Sequence, residues 1–265
     1  MTRTALSLFL LTAVACTPKP QDAQLVVDTS LADSFENMDL VGVAVDPDTG
    51  AVSVLDANEG LFRLEDGDLI QTASPETLQR DGEDLRPYTD VVAMGGGEFA
   101  VTVRNDGLLL NVPEQVTTQH FCYLPGSEVD EGFEGVTERS QLTHAVAYDA
   151  EGDVLFAQPQ TFDGVDVVGA QVGTYAGLEG GQPESWFVLK KEDISATAMA
   201  WDGDRLLMAM GTELYSYTLG DDKPRRYVDL SELGLGGISG MAIRPDDTLV
   251  VVRKQSIQEV TGWRP

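Results

Sequence analysis

Polar residues that flank short apolar strands are the residues of this 265-residue chain best placed to do chemistry. Asp90 and His144 each stand just before such a strand. Carboxylate oxygens are preferred ligands of calcium, and neutral imidazole is a common metal ligand. Each of the two residues could therefore ligate a divalent cation such as calcium, which makes them weak candidates for a ligand or metal site. The alternative is that both are ordinary polar residues of solvated loops.

A second set of polar residues follows the next strand along the chain in four places. These residues are Asp56, Arg104, Gln158 and Arg253. We expect them to share one end of the fold with Asp90 and His144 and to form a mixed polar rim that binds a ligand. Thr197 and Ser239 stand at the positions equivalent to Asp90 and are poor replacements for a carboxylate ligand.

Other catalytic chemistry finds little support. The chain has only two histidines, which leaves little for a histidine-rich metal centre or a histidine relay. It contains neither a Gly-x-Ser-x-Gly nucleophile elbow nor a phosphate-binding P-loop. We therefore predict no catalytic residue, and a binding protein is favoured over an enzyme.

An internal repeat indicates the elements that position these residues. Each copy has an apolar strand around an alanine, a turn rich in Gly or Asp, and a second apolar strand, and it recurs roughly every 50 residues. The shared alanines are Ala44, Ala93, Ala147, Ala200 and Ala242. This period is typical of four-stranded propeller blades, so we predict an all-β fold, a single β-propeller of five blades. Six blades is the alternative, because a blade could lie within 112–140 or 158–192.

The early strand at 23–28 belongs to no repeat, and the last repeat ends soon after its third strand. We expect the N-terminal strand to complete the last blade and close the ring, because closure removes the exposed edges of an open sheet. The strands that line a narrow channel accept only small side chains, which accounts for the recurring alanines and for Gly42 and Gly240.

Two copies of the repeat, at 42–56 (GVAVDPDTGAVSVLD) and 240–252 (GMAIRPDDTLVVV), carry a family resemblance. They resemble the repeats of NHL-type propellers and of the SMP-30/gluconolactonase-like family. That resemblance implies a divalent metal at the mouth of the channel, and with it an alternative function as a metal-dependent hydrolase of the lactonase type. The motifs specify blades rather than chemistry, because many unrelated functions share this fold.

The N-terminus has the features of an export signal. Arg3 precedes an apolar run at 5–14 that is too short to cross a bilayer, which needs about 20 apolar residues. The sequence Ala-Val-Ala-Cys at 13–16 resembles the lipobox of bacterial lipoproteins, which implies cleavage before Cys16 and a lipid on that cysteine. The alternative is an ordinary signal peptide in which Cys16 is incidental. We predict a signal peptide at 1–15, a tether at 16–22 and a propeller domain at 23–265.

Composition limits the partners of the chain. Its 42% of hydrophobic residues is typical of a folded protein, and its net charge of −27 disfavours nucleic acid and anionic lipid. By resemblance to bacterial sorting signals, Thr17 after the cysteine favours the outer membrane. We therefore predict a monomeric, lipid-anchored binding or scaffolding module of the bacterial cell envelope, with an envelope protein as a possible partner.

Overall fold

β-Strands dominate the part of the chain that the computed structural model describes, and no α-helix occurs there. The described residues are 24–27, 37–80, 83–103, 107–110, 120–123, 141–163, 166–176, 185–189, 196–211, 213–221, 223–231 and 237–264. None of them forms a helix that is long and apolar enough to cross a membrane.

Most of these strands belong to five four-stranded antiparallel sheets within the described residues. Sheet I contains β2 (Leu40–Val45), β3 (Val52–Asp56), β4 (Gly60–Glu65) and β5 (Asp68–Ala73). Sheet II contains β8 (Tyr88–Gly95), β9 (Glu98–Val103), β10 (Gly107–Leu110) and β11 (His120–Tyr123). Sheet III contains β12 (Gln141–Asp149), β13 (Val154–Asp163), β14 (Asp166–Ala176) and β15 (Ser185–Leu189). Sheet IV contains β16 (Ala198–Trp201), β17 (Leu206–Met210), β18 (Glu213–Tyr217) and β19 (Arg225–Asp229). Sheet V contains β20 (Ile238–Ile243), β21 (Leu249–Arg253), β22 (Ser256–Thr261) and β1 (Gln24–Val27).

Strand order follows the chain in four of these sheets, because tight turns join antiparallel neighbours. Sheet V differs, since its outermost strand is β1, which pairs with β22 from the other end of the chain. A short hairpin of β6 (Gln79–Arg80) and β7 (Glu83–Asp84) lies between sheets I and II in the sequence. The five predicted repeats coincide with the first and second strands of the five sheets.

The first strands of the sheets lie side by side. β2 contacts β8 and β20, β16 contacts β12 and β20, and β8 contacts β12. The spacing is so close that a Cβ at Gly240 would lie 2.7 Å from the Gly42 Cα. A Cβ at Gly42 would lie 2.9 Å from the Val91 nitrogen. Only small residues fit at these contacts, as the sequence predicted.

The hydrophobic core consists of layers between neighbouring sheets. Val43, Val54 and Val252 belong to the layer between sheets I and V. Trp263, which is 1% exposed, belongs to the layer between sheets IV and V. Alternating strand residues face opposite sides of a sheet, so each sheet contributes to two layers.

The first strands run in one direction, which gives the molecule two distinct ends. We call the end where they begin, near Leu40 and Ile238, the leading end. We call the end where they finish, near Asp149 and Ile243, the turn end, since the turns to the second strands lie there.

Candidate functional site

Asp90 at the leading end links β8 to β12 through hydrogen bonds of its side chain. It is 2% exposed, and its two oxygens accept backbone N–H groups, Oδ1 from Val91 and Oδ2 from Val146, both at 2.8 Å. The second bond joins β8 of sheet II to β12 of sheet III. Burial raises the pKa of the Asp90 carboxyl well above its usual range, although the two hydrogen bonds favour the charged form.

Asp56 and Gln158 have similar structural roles. Asp56 Oδ2 accepts the Asp39 N–H at 2.6 Å, and Oδ1 accepts the N–H groups of Asn58 and Glu59, both at 2.8 Å. These bonds close the turn after β3. Gln158 is fully buried, and its Oε1 accepts the Ala196 N–H at 3.2 Å, across the boundary from sheet III to sheet IV. Among the described residues its Nε2 has no hydrogen-bond partner.

Two hydroxyl groups continue the pattern. Thr197 Oγ1 donates to the Ile238 carbonyl at 2.6 Å, which joins sheets IV and V. Ser239 Oγ donates to the Leu40 carbonyl at 2.7 Å, which joins sheets V and I. Asp90, Gln158, Thr197 and Ser239 therefore form hydrogen bonds between neighbouring sheets, whereas Asp56 bonds next to the strands of its own sheet.

The other predicted site residues are Arg253, His144, Arg104 and Cys16. Arg253 ends β21 and is half-buried. His144 lies within β12, but its side chain is outside the described part of the chain. Arg104 and Cys16 lie outside the described residues altogether.

The predicted cation site at the leading end needs free oxygen ligands. Both oxygens of Asp90 already accept backbone N–H groups, and the hydroxyls of Thr197 and Ser239 donate to carbonyls. No group of three or more His, Cys, Asp or Glu side chains suited to a metal occurs among the described residues. These contacts do not fit a ready-made cation site, and a metal at Asp90 and His144 stays a prediction.

A cavity of about 630 Å³ opens instead at the turn end. Residues of all five first strands line it, so it marks the end of the space that these strands enclose. Val43, Val92 and Met241 form part of its apolar lining. Of the predicted leading-end residues whose side chains the structure describes, Asp90, Asp56, Gln158 and Arg253, none lines the cavity.

One wall of the cavity carries an ion-pair cluster. Arg264 Nη2 lies 2.5 Å from Asp202 Oδ1 and 3.0 Å from Asp247 Oδ1. Arg205 Nε contacts the other oxygen of Asp202 at 3.0 Å. Burial raises the pKa of Asp202, and the two arginines offset this only partly. The neighbouring Trp263 donates its indole N–H to the Asp247 carbonyl at 2.8 Å, which holds the C-terminal segment in place.

Another wall combines carboxylates with aromatic rings. Asp149 is the last residue of β12 and Glu151 lies in the turn after it; both line the cavity, and Glu151 is exposed. Tyr148 lies beside them, and burial together with a hydrogen bond to Asp153 raises the pKa of its phenol. Trp201, at the end of β16, also lines the cavity and stacks on Phe156 with ring centroids 4.8 Å apart. We call Tyr148, Asp149, Glu151 and Trp201 the acidic–aromatic wall.

A smaller groove of about 400 Å³ lies between sheets I and II. Its polar centre is Asp46, whose Oδ1 accepts the N–H groups of Asp48 and Thr49 and whose Oδ2 accepts that of Gly97. Burial raises the pKa of Asp46, but these hydrogen bonds together lower it below its ordinary value. Asp46 therefore organises the turn after β2, as the sequence predicted for this Asp-Pro-Asp-Thr-Gly segment.

The fold of the chain is similar to that of several solved structures. No protein-family model matches the chain, and no curated protein matches it significantly. Among solved structures, glutaminyl cyclase from Myxococcus xanthus is similar, with a TM-score of 0.56 and 11% identity over 92% of this chain and 97% of that one. A glucose dehydrogenase-type oxidoreductase from Thermus thermophilus has a TM-score of 0.50 and 11% identity over 90% and 99% of the two chains.

The chain has a β-propeller fold. The PQQ-bound aldose sugar dehydrogenase of Streptomyces coelicolor is a more distant match, with a TM-score of 0.49 at 12% identity and coverage of 91% and 98%. At such low identity the similarities to the glutaminyl cyclase and to the Thermus oxidoreductase establish the architecture of the chain alone, because one fold hosts many functions.

The cavity residues did not stand out in the sequence. Asp149 and Asp202 belong to the Gly- or Asp-rich turns that the repeat predicts, and Arg264 follows the last predicted strand. The signal that pointed towards them was their recurrence, since each turn follows the same strand of its repeat. The composition of a turn does not show whether its side chains face outward or into a cavity, because that depends on the neighbouring sheets.

Proposed function

We propose that this chain is a lipid-anchored binding module of the bacterial cell envelope, and that it binds its ligand in the cavity at the turn end. The observation that carries this proposal is the cavity itself. Its volume of about 630 Å³ is in the range of small-molecule sites, and its apolar lining with a few charged groups is typical of them.

The proposed scaffold is a ring of five blades that is closed by the N-terminal strand. Five four-stranded sheets among the described residues, and the side-by-side contacts of their first strands, support this count. The pairing of Gln24 with Thr261 and of Val27 with Gln258 supports closure by β1. Such a ring is rigid, and it leaves its loops and channel mouths free to bind.

The proposed anchor is a lipid on Cys16, with the outer membrane as its destination. Labelling cells with an alkyne fatty acid tests this directly. The mature chain should take up the label and sediment with membranes, and Cys16→Ser should lose both properties. Cys122→Ser, which removes the other cysteine of the chain, should keep them. Label on neither protein would rule out the anchor.

The cavity is tested separately by filling it. Ala150 is exposed and lines the cavity, so Ala150→Trp adds bulk there without disturbing the core. Leu219→Trp changes a remote exposed turn residue, 51% exposed, and serves as the matched control. In a thermal-shift screen of small polar compounds, a compound that raises the melting temperature of the wild type and of Leu219→Trp should not act on Ala150→Trp. A compound that stabilises all three proteins equally would place the site elsewhere.

A further inference from the structure

Strand register shows at which end of the molecule the N-terminal tether arrives. Ile243, the last residue of β20, pairs with Leu249, and Leu249 pairs with Val260. Val260 pairs with Leu25, and Thr261 pairs with Gln24. Gln24, the first residue of β1, therefore lies at the turn end, which is the end that holds the cavity.

The length of chain before β1 limits how far the molecule can stand from its anchor. Seven residues lie between Cys16 and Gln24, so the chain makes eight Cα-to-Cα steps from one to the other. An extended chain spans at most about 3.5 Å per residue, so the lipidated cysteine lies within about 28 Å of Gln24. If Cys16 carries a lipid, as proposed above, the shortest path from the ring to the bilayer leaves from the turn end. The cavity then opens towards the membrane surface.

The negative charge of the turn end favours some membrane lipid headgroups over others. Asp48, Glu151, Asp204 and Asp246 are exposed there. Three arginines at this end are already paired with carboxylates. Arg264 pairs with Asp202 and Asp247, and Arg205 pairs with Asp202 and Asp204. Arg244 pairs with Glu259. The excess of negative charge repels anionic headgroups and attracts cationic groups.

The acidic–aromatic wall adds specific chemistry for such a group. Trp201 has one ring face stacked on Phe156, and Trp201 and Tyr148 both line the cavity. Aromatic rings attract ammonium groups through their negative faces, and the neighbouring carboxylates of Asp149 and Glu151 attract the same charge. Rings and carboxylates together are the usual means by which proteins recognise quaternary and primary ammonium groups.

We propose that the cavity binds the headgroup of a zwitterionic membrane lipid, with the ammonium group against the acidic–aromatic wall. In such a headgroup a phosphate lies a few bonds from the ammonium. Arg244 and Arg264 also line the cavity, and a phosphate there would share their guanidinium groups with the carboxylates that already pair with them. The cavity thus presents both charges of a zwitterion, which distinguishes this ligand from a free amine. This inference rests on the proposed function, since it deepens both the anchor and the cavity.

The test is a titration of the detergent-solubilised mature protein with soluble headgroups. Glycerophosphocholine and glycerophosphoethanolamine should bind saturably by isothermal titration calorimetry, and glycerophosphoglycerol, which lacks the ammonium, should not. The double variant Asp149→Asn/Glu151→Gln should raise the dissociation constant about tenfold, a change of about 1.4 kcal/mol. Glu59→Gln, an exposed acid at the leading end, should bind like the wild type.

The outcomes separate this inference from the proposal on which it rests. If Cys16 is lipidated and Ala150→Trp abolishes the effect of some other compound, while neither zwitterionic headgroup binds, the lipid inference is wrong and the binding module stands. Equal binding of glycerophosphoglycerol would also overturn it. Thermal melting of each variant shows whether a loss of binding reflects a loss of fold.

Orientation at the membrane is measured independently, in proteoliposomes that carry the anchored protein with Cys122→Ser. A fluorophore on Ala150→Cys, at the turn end, should be quenched by a quencher in the headgroup region. The same fluorophore on Glu59→Cys, at the leading end, should not be quenched. The reverse result would place the cavity away from the membrane and overturn the inference.

Discussion

At the scale of single residues, the polar groups at the leading end act as hydrogen-bond partners between sheets. Asp90, Thr197 and Ser239 each bond to the backbone of a different sheet. Buried backbone groups that lack a partner are costly, so a side chain that satisfies one also positions the strand that carries it. We interpret these residues as parts of the scaffold on which the cavity is built.

Removing the Asp90 carboxylate should therefore destabilise the protein. Asp90→Ala leaves the Val146 N–H without its acceptor in a buried position, and we expect the free energy of unfolding to fall by about 1–3 kcal/mol. Urea denaturation measures this change. Asp68→Ala, an exposed acid on β5, is the control and should change stability by less than about 0.5 kcal/mol. Equal stability of the two variants would contradict the bridging role.

The raised pKa of Asp90 also predicts a pH dependence. Because its pKa is higher in the folded than in the unfolded protein, the folded state binds this proton more readily. Its contribution to stability is fully present below the unfolded pKa and is lost as pH rises through the folded pKa. The wild type should therefore gain stability relative to Asp90→Asn as pH falls from neutrality towards 4. Urea midpoints that remain parallel across this range would contradict the prediction.

At the scale of elements, the four-stranded sheets depend on one another. A lone sheet has two open faces, and its hydrophobic residues are buried only against its neighbours, as Trp263 is between sheets IV and V. Sheet V depends in addition on β1, which is remote in sequence from its other strands. The pairing of β1 with β22 links the two ends of the chain. Its loss should therefore lower the stability of the whole proposed ring.

Deleting β1 tests this dependence. A chain that begins at Asp28 should unfold at a lower temperature than a chain that begins at Ala23, and it should associate, because β22 then has an unpaired edge. Both chains lack Cys16, so the lipid does not enter the comparison. Differential scanning calorimetry and size-exclusion chromatography measure the two effects. Identical behaviour would show that the N-terminal strand does not close the ring.

At the scale of the whole molecule, charge is the dominant property. The chain has a net charge of −27 on 265 residues. Repulsion between these like charges destabilises the compact folded state. The same charge favours cationic groups over anionic ones in the surroundings of the protein. Part of that charge lies on the acidic turn end, and we propose that this end faces the membrane.

Salt should stabilise the folded protein, because it screens the repulsion between its negative charges. Raising sodium chloride from about 10 mM to 150 mM shortens the Debye length from about 30 Å to 8 Å, so we expect the melting temperature to rise. Calcium chloride at equal ionic strength should act similarly if only screening operates. A larger, stoichiometric effect of calcium that is lost in Asp90→Ala would instead support the cation site and the lactonase-type alternative.

The repeats, their strands and the small residues of the first strands were all predictable from the sequence. A period of roughly 50 residues, with alternating apolar positions and turn residues, is a local pattern that few folds satisfy. The Ala44 and Ala200 copies show it directly, and their strands are β2 and β16. The lipobox-like segment at 13–16 is equally local, and its lipid stays a prediction.

The proposed ligand site depended on tertiary structure. Asp90 and Asp149 are both polar residues at the ends of first strands, and nothing in the sequence ranks one above the other. The fold buries Asp90 between two backbone strands, while it leaves Asp149 on the wall of a cavity. Asp90 accepts a backbone N–H of the neighbouring sheet, whereas Asp149 accepts one from Glu151 in its own turn, so the neighbouring sheets decide which of the two carboxylates is enclosed. Local sequence determines strands and turns, whereas the packing of sheets determines where a ligand can enter.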